Sequence, residues 1–118
     1  MKLDLQSSIF QTDGEIPWES PAPKIKRQVY GYDDKIMMVK VKFEKDGVGA
    51  LHEHPHSQVT YVESGAFEMT IGGKKKILYA GDGYYVPPHV VHGCLCLEDG
   101  MLIDVFAPLR EDFLEGNL

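Results

Sequence analysis

No apolar run in this sequence exceeds strand length, and none approaches the roughly 20 residues that a membrane-spanning helix needs. The opening residues Met1 to Ser8 are polar and lack the apolar centre of a secretory signal, so the expectation is a cytoplasmic protein with no membrane partner. Cysteine is scarce. Cys94 and Cys96 are the only two, and their separation in a strand-like segment lies at the upper limit of disulfide geometry, so they read as reduced core thiols. With no further cysteines, a thiolate metal set cannot be completed. Basic charge is also short: twelve Lys and Arg face eighteen Asp and Glu, a net charge of −6. That balance excludes nucleic acid as a partner, because phosphate binding needs concentrated cations. The one basic run, Lys74 to Lys76, follows Gly72-Gly73 and reads as the solvated exit of a hairpin. Amphipathic helical periodicity is almost missing.

What remains is a chain of 118 residues, enough for one domain that buries roughly two thirds of its unfolded surface without staples. In Met38 to Glu44, Val39, Val41 and Phe43 alternate with mostly polar neighbours, the period of a half-buried strand. Short β-favouring runs recur at Val59–Val62, Phe67–Ile71, Ile77–Tyr79, Tyr84–Val86, Cys94–Leu97 and Met101–Phe106. Turns are expected between them at Ser64-Gly65, Gly72-Gly73, Gly81-Asp82-Gly83 and Asp99-Gly100. Strands at this spacing without intervening helices predict an all-β sandwich or barrel. Residues 1–26 differ: Pro17, Pro21 and Pro23 interrupt any regular pattern, which predicts an extended N-terminal arm ahead of a β domain over 27–118. Trp18 either anchors that arm, on this chain or a second one, or packs locally.

Candidate chemistry concentrates in Leu51 to Tyr61, which holds three of the five histidines. On extended backbone His52 and His54 project to one side, and Gln58 and Thr60 share their parity. Converging neutral imidazoles suit a divalent metal, and a carboxamide oxygen can add a further neutral ligand. Another strand should supply the fourth. In Gly81 to His92 the glycines allow a tight turn, Tyr84–Val86 is a strand, Pro87-Pro88 ends it, and His92 is positioned to be that ligand. His56 and His89 read instead as rim or loop histidines.

The two clusters resemble the paired motifs of the cupins, usually written G-x5-H-x-H-x3,4-E-x6-G and G-x5-P-x-G-x2-H-x3-N. His52-x-His54-x3-Gln58-x6-Gly65 follows the first, and Gly81-x5-Pro87-x-His89-x2-His92 the second. Gln58 replaces the usual glutamate, His89 a glycine and Cys96 the final asparagine, and Gly47 is shifted by one from the opening glycine. The resemblance implies a single jelly-roll-type cupin barrel. Exchanging a carboxylate for a carboxamide leaves the metal more electrophilic and removes a potential base, so proton transfer must come from outside the ligand set.

Asp104 stands out there, because it lies among Met101, Leu102, Ile103, Val105 and Phe106, where an ionised carboxylate is costly without a partner or a task. Phe106 shares its face, and Arg110 lies just beyond Pro108. Asp-x-Phe-x-x-x-Arg joined to His-x-His-x3-Gln resembles the pectin-degradation cupins that linearise unsaturated uronates. That resemblance implies metal ligation by His52, His54, Gln58 and His92 of one divalent ion per chain (zinc, nickel, iron, manganese or cobalt). It also implies an active site completed by Asp104, Phe106 and Arg110. The expected activity is opening and ketonisation of 4,5-unsaturated monouronates from pectin or alginate. In it Asp104 moves the proton, Arg110 pairs with the substrate carboxylate and Phe106 dries the pocket. A structural Asp104–Arg110 ion pair is the competing reading of those two residues. A metal-dependent dioxygenase and a non-catalytic sugar-acid-binding cupin are the alternative functions. Open barrel edges together with the arm predict a homodimer.

Overall fold

The computed structural model describes residues 5–115, so the first four residues of the expected arm lie outside it. The chain forms β1 (Glu19–Ala22), β2 (Ile25–Asp33), β3 (Ile36–Phe43), β4 (Val48–His52), β5 (Ser57–Ile71), β6 (Lys74–Tyr79), β7 (Gly83–Val86) and β8 (His92–Ala107), followed by a one-turn helix α1 (Asp112–Glu115). All pairings are antiparallel in one sheet of order β1-β2-β3-β8-β5-β6, with β4 added on β8 and β7 on β5. The fold is thus all-β with almost no helix. No helix among the described residues is long and apolar enough to cross a membrane.

Two long strands organise the sheet. The first half of β5 pairs with the second half of β8, from Ser57↔Ala107 to Val62↔Leu102, and its second half pairs with the first half of β8, ending at Ile71↔His92. Between the halves the register shifts, at Ser64-Gly65 on β5 opposite Asp99-Gly100 on β8. The sequence predicts turns at these two places, but the chain does not reverse at either; both are bulges. The reason is steric: Gly65 sits at φ +81, and a Cβ on it would stand 2.6 Å from the Asp99 carbonyl oxygen, while one on Gly100 would strike the Ser64 carbonyl. Two backbones too close for side chains read locally like turn residues. The bulge also changes the parity of β5, so that Gln58, Thr60 and Val62 before it and Phe67 and Met69 after it are all buried. The Gly72-Gly73 and Gly81–Gly83 turns do reverse the chain, linking β5 to β6 and β6 to β7.

Two apolar clusters fill the interior. One gathers Ile25, Phe43, Val62, Phe67, Met69, Leu78, Cys96 and Leu102, with Phe43 edge-on to Phe67 at 5.2 Å. The other holds Met37, Val39, Phe106, Leu109 and Phe113. Cys96 is buried and Cys94 half-buried, and both are free thiols; burial pushes the Cys94 thiol up to about 12.

Of the N-terminal residues, Glu19–Ala22 are an edge strand on β2, with a register irregularity where Pro21 sits. The preceding segment lies along β2 of the same chain. The fully buried Gln28 amide donates to the carbonyls of Asp13 (3.2 Å) and Ile16 (3.0 Å), and Ser7 exchanges two hydrogen bonds with Tyr32. Trp18 stays half-exposed, with the Lys40 ammonium 5.9 Å from its ring.

Candidate metal centre and active site

Two strand ends and one loop deliver the histidines. His52 closes β4 directly opposite His92 at the start of β8, and His54 follows two residues after β4. The ligand atoms of His52, His54 and His92 all lie within 4.8 Å of one another. Each ring is oriented by a carbonyl. Nδ1 of His52 donates to Ala50 O (2.8 Å), Nδ1 of His92 to Val90 O (2.9 Å) and Nδ1 of His54 to His56 O (3.1 Å). Those partners assign the proton to Nδ1 in all three and leave three Nε2 lone pairs for the cavity.

Two observations test whether a metal fits this arrangement. His92 Nε2 is buried and meets no hydrogen-bond partner among the described residues, an expensive state for an acceptor unless a cation takes its lone pair. His54 Nε2 lies 3.0 Å from Gln58 Oε1, and Gln58 directs its amide nitrogen the other way, to Thr60 Oγ1 at 3.0 Å. Two acceptors therefore face each other at a distance that makes sense with positive charge between them. Burial, followed by the charge of Arg110, holds His54 below its ordinary range, and burial brings His92 down to about 4. Both shifts favour the neutral, ligating imidazole over the imidazolium. His52, His54, His92 and Gln58 fit a divalent ion by donor type and by convergence.

Gln58 reaches further than the ligand cluster. Its amide nitrogen stands 3.4 Å from Asp104 Oδ1, which also accepts the Thr60 hydroxyl at 2.6 Å. The backbone explains this meeting, since Thr60 on β5 is paired with Asp104 on β8. A glutamate at position 58 would set a second carboxylate against Asp104; the carboxamide presents an oxygen to His54 and a donor to Asp104 at once. Burial pushes Asp104 up to about 6, against the Thr60 hydrogen bond, the Arg110 charge and the Gln58 hydrogen bond, which all favour ionisation. Tyr84 lines the same cavity, and burial, then the Asp104 charge, holds its hydroxyl protonated.

Asp104 and Arg110 do not form an ion pair in this structure. Arg110 gives Nε and Nη2 to the two carboxylate oxygens of Asp112, at 3.0 and 2.8 Å, and stacks over Phe113 (4.2 Å) and Phe106 (5.1 Å). Asp104 keeps only hydroxyl and amide donors among the described residues. Phe106 is buried, with its ring edge-on to His54 at 5.8 Å.

The remaining histidines separate. His89 is exposed beside Glu53 (3.6 Å) at φ +62, a conformation that accounts for the glycine usual at this motif position. Only its backbone serves the site, through an N–H donated to His54 O. His56 is half-buried, and its Nε2 donates to Leu109 O (3.0 Å), pinning the chain next to Arg110. Thr60 had the parity of a cavity residue, whereas nothing local signalled Phe113 or Asp112, which approach from the C-terminal helix.

His52, Gln58, His92, Asp104 and Arg110 all line one cavity of about 300 Å³, whose wall also includes Arg27 and Phe113. Comparison with known proteins agrees with this architecture. Residues 39–106 match the cupin domain family. The chain is 45% identical over 104 residues to the pectin degradation protein KdgF of Dickeya dadantii, covering 86% of this chain and 94% of that one. Among solved structures, an RmlC-like cupin from Shewanella frigidimarina superposes with a TM-score of 0.89 at 44% identity, over 92% of this chain and 97% of that one. KdgF from a Halomonas species superposes with a TM-score of 0.87 at 38% identity, over 92% and 100% of the two chains. The chain belongs to the cupin family, in the group of the pectin-degradation protein KdgF.

Proposed function

We propose that this protein opens and ketonises 4,5-unsaturated monouronates released from pectin or alginate, using one divalent transition metal per chain, with zinc, nickel, iron, manganese and cobalt as the candidates. The observation that carries the reading is Asp104, a buried carboxylate joined through Thr60 and Gln58 to a three-histidine cluster, in a chain so similar to a pectin degradation protein.

In the unsaturated ring, C5 belongs to an enol ether. Asp104 takes the proton of the anomeric hydroxyl; C1 then becomes a carbonyl as the C1–O5 bond breaks and its electron pair moves to O5. The resulting enolate collapses to the C5 ketone when C4 receives the proton from Asp104. The carboxylate is regenerated, and reactant and product are isomers. A carboxyl group raised to about 6 can both accept and return a proton near neutrality. A divalent metal held by His52, His54, His92 and Gln58 would supply positive charge for the oxygen that becomes negative as the ring opens. Phe106 excludes water beside it, and Arg110 offers the substrate carboxylate its charge and the amino group that Asp112 leaves free.

The test is direct. Incubated with an unsaturated monouronate, the metal-loaded protein is expected to accelerate loss of the ring enol-ether resonance in NMR, and the metal-stripped protein is not. Equal rates in the two samples would refute the proposal, and uptake of dioxygen instead would place the chemistry among oxygenases.

The barrel closure and the homodimer belong to the same reading. Val59, Tyr61 and Tyr85 are each more than half exposed on the outer side of the sheet, where Val59 is paired with both Tyr85 and Val105. An exposed apolar face of this kind suits a two-fold dimer. Light scattering is expected to give twice the chain mass, and Tyr85→Glu to shift it toward the monomer; a monomeric wild type would remove the dimer.

A further inference from the structure

The guanidinium of Arg110 is already engaged: Asp112 occupies Nε and Nη2, the edge that would otherwise grip a carboxylate with two parallel N–H bonds. A second arginine in the cavity wall is free in the complementary way. Arg27, near the start of β2, has its guanidinium carbon 3.9 Å from the Phe113 ring centroid and gives Nε to Glu19 Oε1 at 2.9 Å. Its side chain is only 19% exposed, yet among the described residues its two terminal amino groups meet no acceptor. The ring it stacks on is the one Arg110 stacks on, and both arginines line the same cavity as the candidate metal site.

The geometry points to Arg27 as a substrate-binding residue that holds the uronate carboxylate through its terminal amino groups, with Arg110 contributing the amino group that Asp112 leaves free. This rests on reading the ligand as a sugar acid. Glu19 and Phe113 then act as the brace, fixing the plane of the Arg27 fork before the ligand arrives, as bidentate recognition requires. The competing account is purely structural, in which Arg27 serves to tie the edge strand β1 to β2 through Glu19. The two accounts differ in what Glu19 is worth.

Steady-state kinetics on an unsaturated monouronate with the metal-loaded protein separates them. Arg27→Met is expected to raise KM by about 10-fold to 100-fold, with kcat and bound metal little changed, because the lost contact is made in ground and transition state alike. Arg27→Lys recovers part of the loss, since it restores charge but not the fork. Glu19→Gln, which leaves Arg27 in place, is expected to change KM by far less than Arg27→Met. Equal effects of Arg27→Met and Glu19→Gln, or an unchanged KM in Arg27→Met, would overturn the assignment while leaving the ring-opening activity standing. Should the wild type not turn the substrate over, calorimetric titration with a saturated uronate makes the same comparison. Affinity that falls in Arg27→Met and not in Glu19→Gln supports the site, and affinity equal in all three proteins overturns it.

Discussion

Asp104→Asn is expected to slow ring opening by about 10²-fold to 10⁴-fold, the usual contribution of a positioned acid–base group, while making the metal-free protein more stable. Both effects have one source. The carboxyl group is buried among apolar neighbours, accepts only from Thr60 and Gln58 among the described residues, and is raised to about 6. The folded chain therefore binds this proton more tightly than the unfolded chain, whose carboxyl titrates near 3.8. Ionising Asp104 costs folding free energy as pH rises between those values; the cost is complete above about pH 6 and absent below 3.8. A shift of this size is worth about 2–3 kcal/mol. An asparagine oxygen can still accept from Thr60 and Gln58, but its new amide donors need a partner, which cancels part of the gain. A net rise of about 5 °C in Tm at pH 8, vanishing at pH 3.5, is the expected outcome in thermal unfolding of metal-free samples. Full activity in Asp104→Asn with metal bound would show that the proton travels by another route. A lower Tm at pH 8 would show that the carboxylate is a structural group.

His92→Ala carries the other large effect. Among the described residues His92 Nε2 is one of two buried side-chain nitrogens without a partner, with His56 Nδ1, and it is the one that converges with the other imidazoles, so the site loses a candidate ligand. Metal affinity is expected to fall by at least about 100-fold, since losing even a group that only orients a ligand costs about 10-fold to 100-fold, and ring opening to fall with it. Elemental analysis after dialysis checks the first and the NMR assay the second. Stability gives an independent readout. Metal at 1,000 times the wild-type Kd is expected to raise wild-type stability by about 4 kcal/mol and that of the variant by about 1.4 kcal/mol at most. Acid should release the metal late. Protons compete for His54 and His92 only once pH falls through values that lie below the ordinary histidine range, about 4 for His92. A variant that retains stoichiometric metal would mean that His92 is not a ligand.

The stability gained by Asp104→Asn and lost catalysis describe one compromise, visible in the register of two strands. Thr60 and Asp104 are paired across β5 and β8, and Gln58, one inward position earlier, faces both the histidines and the carboxylate. Replacing Gln58 by glutamate would couple the ligand cluster to the carboxylate by repulsion instead of by a hydrogen bond. That gives a physical reason for the departure from the usual cupin motif.

Most of this protein's strands, and the residues around which its candidate site is built, were legible in the chain itself because both are local properties. Alternation at Val39, Val41 and Phe43 marks a strand face, and the spacing of His52, His54 and Gln58 marks a candidate ligand set. The tertiary structure decided the rest. Ser64-Gly65 and Asp99-Gly100 look like turns to any local reading, and only the contact between their backbones makes them bulges that let both halves of β5 bury side chains. Arg110 chose Asp112 over Asp104, Thr60 became the bridge from Gln58 to Asp104, and Arg27 arrived at the cavity from outside both motifs. Each of these depends on registers between segments distant in sequence, and hydrogen bonds and ring stacking act on distance in space, which residue spacing along one strand does not encode.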